Sequence, residues 1–99
     1  MNAFAIVDGK LTINGVPQIA AVWCDEYHEG ARIPLANGYS LSVVVHAGTY
    51  SDGGKTTAET AVFRPDGEFL YSLGAGQVEG HQTPAQVFAT MARVEATYA

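Results

Sequence analysis

Five dipeptides limit what this 99-residue chain can fold into: Asp8-Gly9, Asn14-Gly15, Asn37-Gly38, Asp52-Gly53 and Asp66-Gly67. Each pairs a residue tolerant of positive φ with glycine, the signature of a tight reversal. The runs between them are short, and apolar or alternating, which reads as strands. Residues 4–7 and 10–13 make a hairpin around Asp8-Gly9. Residues 18–24, after Pro17, form a third strand, and 39–50 form the longest. Residues 56–64 return from it, and Pro65-Asp66-Gly67 turns the chain into 68–73. Residues 25–34 read as an acidic loop. Short connections predict an antiparallel meander of five to six strands, not parallel crossovers.

The last segment, TPAQVFATMARVEATYA, changes period. Thr83 is placed to cap a helix, Pro84 suits the first helical position, and Gln86 completes a capping box. Val87, Met91, Val94 and Tyr98 recur at helical spacing, with Phe88 beside them. The chain therefore reads as one α+β domain over 1–99, with one C-terminal helix packed on one face of the sheet. In the long strand Tyr39, Leu41, Val43, Val45 and Ala47 share the side that suits the helix. Ser40, Ser42, Val44 and His46 share the other. The third strand is apolar on both sides: Ile19, Ala21 and Trp23 on one, Ala20, Val22 and Cys24 on the other. One helix covers one face, so part of the second face is expected to be buried against another chain or a partner, the alternative being that the long loops fold back and cover it. Val22, Val44 and His46 are the residues assigned to self-association, as a homodimer.

Apolar residues make up 47% of the chain and charged ones 15%, a balance that excludes disorder and a coiled coil. Ten acids against five bases give a net charge of −5, which supplies no basic footprint for nucleic acid and suits a basic protein partner. Cys24 is the single cysteine, so no internal disulfide forms. Residues 1–8 do not resemble a signal peptide, and no apolar run approaches a membrane span. These features predict a cytoplasmic protein.

Gly54-Lys55-Thr56 spells the end of a phosphate-binding loop. That motif needs a glycine at residue 49, where Thr49 stands, and a helix after the threonine. A β-branched run and then Pro65 follow instead, so the segment reads as an exposed hairpin loop over 52–55 with Lys55 solvated. Cys24 and His28 are four apart among acids, but no second pair completes a metal set, and neither a metal nor a cofactor is expected. Asp25 and Glu26 would raise the Cys24 pKa, and no serine sits in a nucleophile elbow, so no catalytic residue is assigned. The distinctive stretch is WCDEYHEGARIP, residues 23–34. Its Asp25, Glu26, Tyr27, His28 and Glu29 combine acids with an aromatic and suit a basic partner surface.

Residues 38–94 carry GYSLSVVV, TAETAVFRPDGEF, VEG and TPAQVFATMARV. In style this span resembles small accessory proteins of bacteriophages and prophages, the anti-CRISPR inhibitors among them. Those inhibitors share no common functional residues, so none carries over. The resemblance implies a compact, non-catalytic binder that blocks a bacterial host protein or ribonucleoprotein complex by occupying a surface. The competing expectation is a structural or assembly protein of a phage or mobile element that oligomerises through its sheet face.

Overall fold

In the computed structural model, which describes residues 2–24, 28–46, 48–70 and 78–98, the strands form two antiparallel sheets. The first contains β1 (Phe4–Val7), β2 (Lys10–Ile13) and β3 (Val16–Pro17), joined by the reversals at Asp8-Gly9 and Asn14-Gly15. The second contains β4 (Ala21–Cys24), β5 (Glu29–Pro34), β6 (Ser40–Val44), β7 (Ala58–Phe63) and β8 (Glu79–Gln82), in chain order. Helix α1 (Pro84–Thr97) ends the described chain. The α+β class, the antiparallel meander and the hairpin at Asp8-Gly9 agree with the sequence reading.

Among the described residues, eight strands in two sheets replace the single meander of five to six. Pro17 closes β3 instead of preceding a third strand, and the chain crosses to the second sheet at 18–20. Most of the expected acidic loop over 25–34 is strand: β5 lies between β4 and β6. Its acids, Gly30 and Pro34 hid the Ala31, Ile33 and Leu35 alternation, which is buried. The long strand stops at Val44, and a turn begins where the Thr49 backbone N–H and Oγ1 both donate to the His46 carbonyl, at 3.2 and 2.7 Å. Within 68–73 only Phe69 makes a bridge, to Phe63, and 71–73 lie outside the described residues. β8 was not foreseen, because Gly80 and a polar HQ pair read as loop.

Register assigns the faces. Ala31 pairs with Val43 and Ile33 with Leu41; Leu41 then pairs with Val62 and Val43 with Thr60. All of these are buried. Paired residues share a face, so this inner face is the floor of the core. Phe4, Leu11 and Ile13 of the first sheet join it, as do Val87 and Val94 of α1, in one apolar cluster. The N-terminal hairpin is thus a second cover, beside the helix, for the same face.

Helix α1 forms as its residues predict. Thr83 Oγ1 accepts from the Gln86 N–H at 3.3 Å, and Thr83 N–H donates to Gln86 Oε1 at 2.9 Å. Val87, Thr90 and Val94 are buried, whereas Phe88 is 42% exposed. The β5–β6 turn ties to the far end: Asn37 Nδ2 donates to the Val94 carbonyl at 3.2 Å, one of the helix's terminal acceptors. Ala36 N–H donates to the Glu95 carboxylate at 2.9 Å, and the Tyr39 and Tyr98 rings stack at 4.9 Å. Among the described residues no helix is long and apolar enough to cross a membrane.

Candidate functional site

The other face of the five-stranded sheet follows from the same pairing. Trp23 lies opposite Gly30, Gly30 opposite Val44, and Val44 opposite Glu59, forming one row across four strands. The next row is Ala21, Arg32, Ser42 and Ala61. A third adds Pro34, Ser40, Phe63 and the bridged Phe69. Arg32, Glu59, Ser40 and Ser42 interrupt a face that is otherwise apolar. Its apolar groups sit where the hairpin and helix do not reach.

Gly30 shapes the first row. A Cβ there would stand 2.7 Å from Val44 Cγ1 and 2.8 Å from Trp23 Cζ2. The bare backbone therefore lets the indole lie across β5 against Val44. On the third row the Phe63 and Phe69 rings meet at 4.6 Å, and the Arg32 guanidinium carbon sits 3.9 Å from the Phe63 ring centre, a cation–π distance. Between them lies a shallow groove of about 170 Å³, lined chiefly by Val44, Ala61, Phe63, Phe69, Val78 and Glu59. Val78 is 40% exposed and Trp23 36%. Trp, Arg and Phe around a small apolar groove are the residue types that dominate protein interfaces.

Of the residues proposed to meet a partner, Asp25, Glu26 and Tyr27 lie outside the described residues. His28 and Glu29 stand at the start of β5. Glu29 is a strand residue, not a loop residue, because its carbonyl accepts from Val45 N–H at 3.1 Å. Its own N–H donates to His46 Nδ1 at 3.4 Å, and the His28 and His46 rings meet edge to face at 5.1 Å. One end of the sheet thus joins His28 and Glu29 with His46 of the self-association set. That set is otherwise divided. Val44 lines the groove, while Val22 pairs with Ala31 and faces the core, since β5 intervenes between β4 and β6. Trp23, Arg32, Phe63 and Phe69 were missed as site residues. Period-two alternation through 58–63 separates Phe63 from the buried Ala58, Thr60 and Val62, and could have found one of them.

The Gly54-Lys55-Thr56 segment is a clip. The Asp52 carboxylate accepts from the N–H groups of Thr56 at 3.0 Å and Thr57 at 2.9 Å, and from the Thr56 hydroxyl. The Thr56 hydroxyl, then the two backbone groups, hold the Asp52 carboxyl well below the usual carboxylate range. The loop's own anion fills the place where a phosphate would need donors. Its carbonyls face the other way: Phe4 N–H donates to Gly54 O and Ala3 N–H to Lys55 O, both at 2.9 Å. Lys55 is exposed as expected, but Gly54 is buried against β1, so the loop is not a free tip.

A second concavity, about 190 Å³ between β8 and α1, is lined by Glu79, Gln82, Gln86, Ala89, Thr90 and Arg93. It places one carboxylate and one guanidinium among amides and holds no histidine or cysteine. Among the described residues no group of three or more His, Cys, Asp or Glu side chains is placed to hold a metal ion. Comparison with known proteins finds no matching family model, no similar curated protein and no matching solved structure.

Proposed function

We propose that this chain is a non-catalytic binding protein of the phage-inhibitor type, which blocks a bacterial host protein or ribonucleoprotein complex by covering one of its surfaces. The contact surface is the outer face of the five-stranded sheet. The observation that supports this reading is the row from Trp23 across Gly30 to Val44, beside the groove at Phe63 and Phe69. An apolar, aromatic face with one stacked arginine gains free energy when covered, and neither the hairpin nor the helix covers it. Asp25, Glu26 and Glu29 follow Trp23 closely in the chain, and charge of that kind steers a basic partner.

Affinity capture from bacterial lysate tests the reading with matched variants. Wild-type chain should retain a stable partner, and W23A/V44D should lose it while still unfolding in one cooperative transition. Equal retention by W23A/V44D, or no partner for the wild type, would overturn the reading. A second reading, self-assembly, is favoured by one specific feature, the open edge at β4.

A further inference from the structure

The five-stranded sheet ends in two edges that differ in protection. At β8 the register slips between Ala58 and Thr60, and His81 takes φ 52°. Its N–H donates to the Tyr50 carbonyl at 2.7 Å, and Glu79 adds charge. A bulged, charged and partly covered edge does not template another strand. The β4 edge has none of these devices. Residues 19–24, IAAVWC, contain no charge, proline or glycine. Among the described residues no backbone hydrogen bond reaches the open side of β4. Ile19 is 87% exposed, the most exposed large apolar side chain described.

Which main-chain groups face outward can be derived. Val45 N–H donates to Glu29 O, so alternate residues of β5 from Glu29 onward bond β6, and Gly30 and Arg32 bond β4. Their partners Trp23 and Ala21 therefore direct N–H and C=O inward. Val22 directs its own to the open edge; Ala20 lies just before β4, and pairing there would extend the strand and carry the same alternation to it.

We propose that this edge pairs with itself: two copies join antiparallel at β4, about a two-fold axis normal to the sheet and centred on Ala21, giving one continuous sheet. Continuity of the faces requires a register centred on a residue, since a slip by one reverses every side chain. Centring on Ala21 sets each Ala20 opposite Val22 of the second copy, where each pair exchanges both main-chain bonds. Both residues already pack partly against the core face of their own chain. The same register sets Ile19 opposite Trp23 of the second copy on the outer face, at a close non-bonded position where an aromatic and a β-branched side chain stabilise each other. It covers the exposed Ile19 and leaves the acids, which begin at Asp25, outside the paired run. Centring nearer Cys24 would bring the acids of two chains of net charge −5 together. The pairing uses the edge and not the groove; it shares Trp23 with the proposed contact face, and Ile19→Asp, which leaves Trp23, Val44 and the groove in place, tests it apart from the inhibitor reading.

Sedimentation of wild type and Ile19→Asp, together with oxidation of A21C/C24S, tests it. The interface is small, so wild-type dimer should grow with concentration between about 10 μM and 1 mM. Ile19→Asp should weaken association by about 10-fold or more, with an unchanged monomer unfolding curve, because the side chain it replaces is 87% exposed. A21C/C24S should close a disulfide between copies, since self-paired residues bring their Cα atoms within bridging range. V7C/C24S, with its cysteine on β1, should not. A wild-type chain still monomeric at about 1 mM overturns the proposal and leaves the edge to a strand from another protein. An Ile19→Asp dimer as tight as wild type, or an A21C/C24S chain that fails to cross-link, overturns it as well.

Discussion

At Gly54 an added Cβ would stand 2.4 Å from the Phe4 carbonyl oxygen, on a backbone at φ 89°. Both facts demand glycine, so Gly54→Ala should destabilise the fold by about 2–3 kcal/mol, measured by denaturant unfolding. Asp52 holds the same loop from the other side. Removing its carboxylate in Asp52→Ala leaves the Thr56 and Thr57 N–H groups to water. The amides of Ala3 and Phe4, which donate to the loop's carbonyls, should then exchange faster with deuterated solvent. The pH dependence has a definite sign. Because the folded-state Asp52 pKa lies below its ordinary value, its contribution is complete above the usual carboxylate range and is lost progressively as pH falls from that range through the folded value. Amide exchange at Ala3 and Phe4, corrected for intrinsic rates, should therefore rise on acidification below about pH 4 in wild type and not in Asp52→Ala. Thr49 in place of a glycine and the β-branched run before Pro65 excluded a phosphate loop from the sequence. The clip itself was not legible there, because its carbonyls are held by a strand about 50 residues earlier in the chain.

Elements with a local cause were legible and those with a distant cause were not. Thr83, Pro84 and Gln86 specify the start of α1 without reference to any other segment. Thr83→Ala should cost about 1 kcal/mol in thermal or chemical unfolding. The hairpin at Asp8-Gly9 is equally local. β5 and β8 are not. Glu29–Pro34 is a strand because β4 and β6 supply partners on both sides, and its glycine is kept by the indole of Trp23. Gly30→Ala should push that indole off the face. Trp23 is the single tryptophan, so its fluorescence should become more accessible to acrylamide. The candidate face was half legible for the same reason. Val44 could be assigned from alternation within one strand, whereas uniting it with Trp23, Phe63 and Phe69 required the pairing of four strands. Val22 went to the wrong face because an unforeseen strand changed its neighbours.

At the scale of the whole molecule, two covers protect one side of a five-stranded sheet and leave the Trp23 row and the groove at Phe63 and Phe69 on the other. The three-stranded hairpin sheet and α1 meet in a single core over Leu41 and Val43, both nearly inaccessible. Leu41→Ala should cost about 2–5 kcal/mol and lower the midpoint of one cooperative transition, since the buried apolar residues described form one cluster. The outer face, and not the helix side, is the surface proposed to meet the target. A photo-crosslinking amino acid placed at Val44, and in a separate chain at the 42% exposed Phe88 of α1, tests this directly in bacterial cells. The account predicts a discrete adduct with one host protein from position 44 and none from position 88. Adducts of equal yield from both positions, or from position 88 alone, would contradict it.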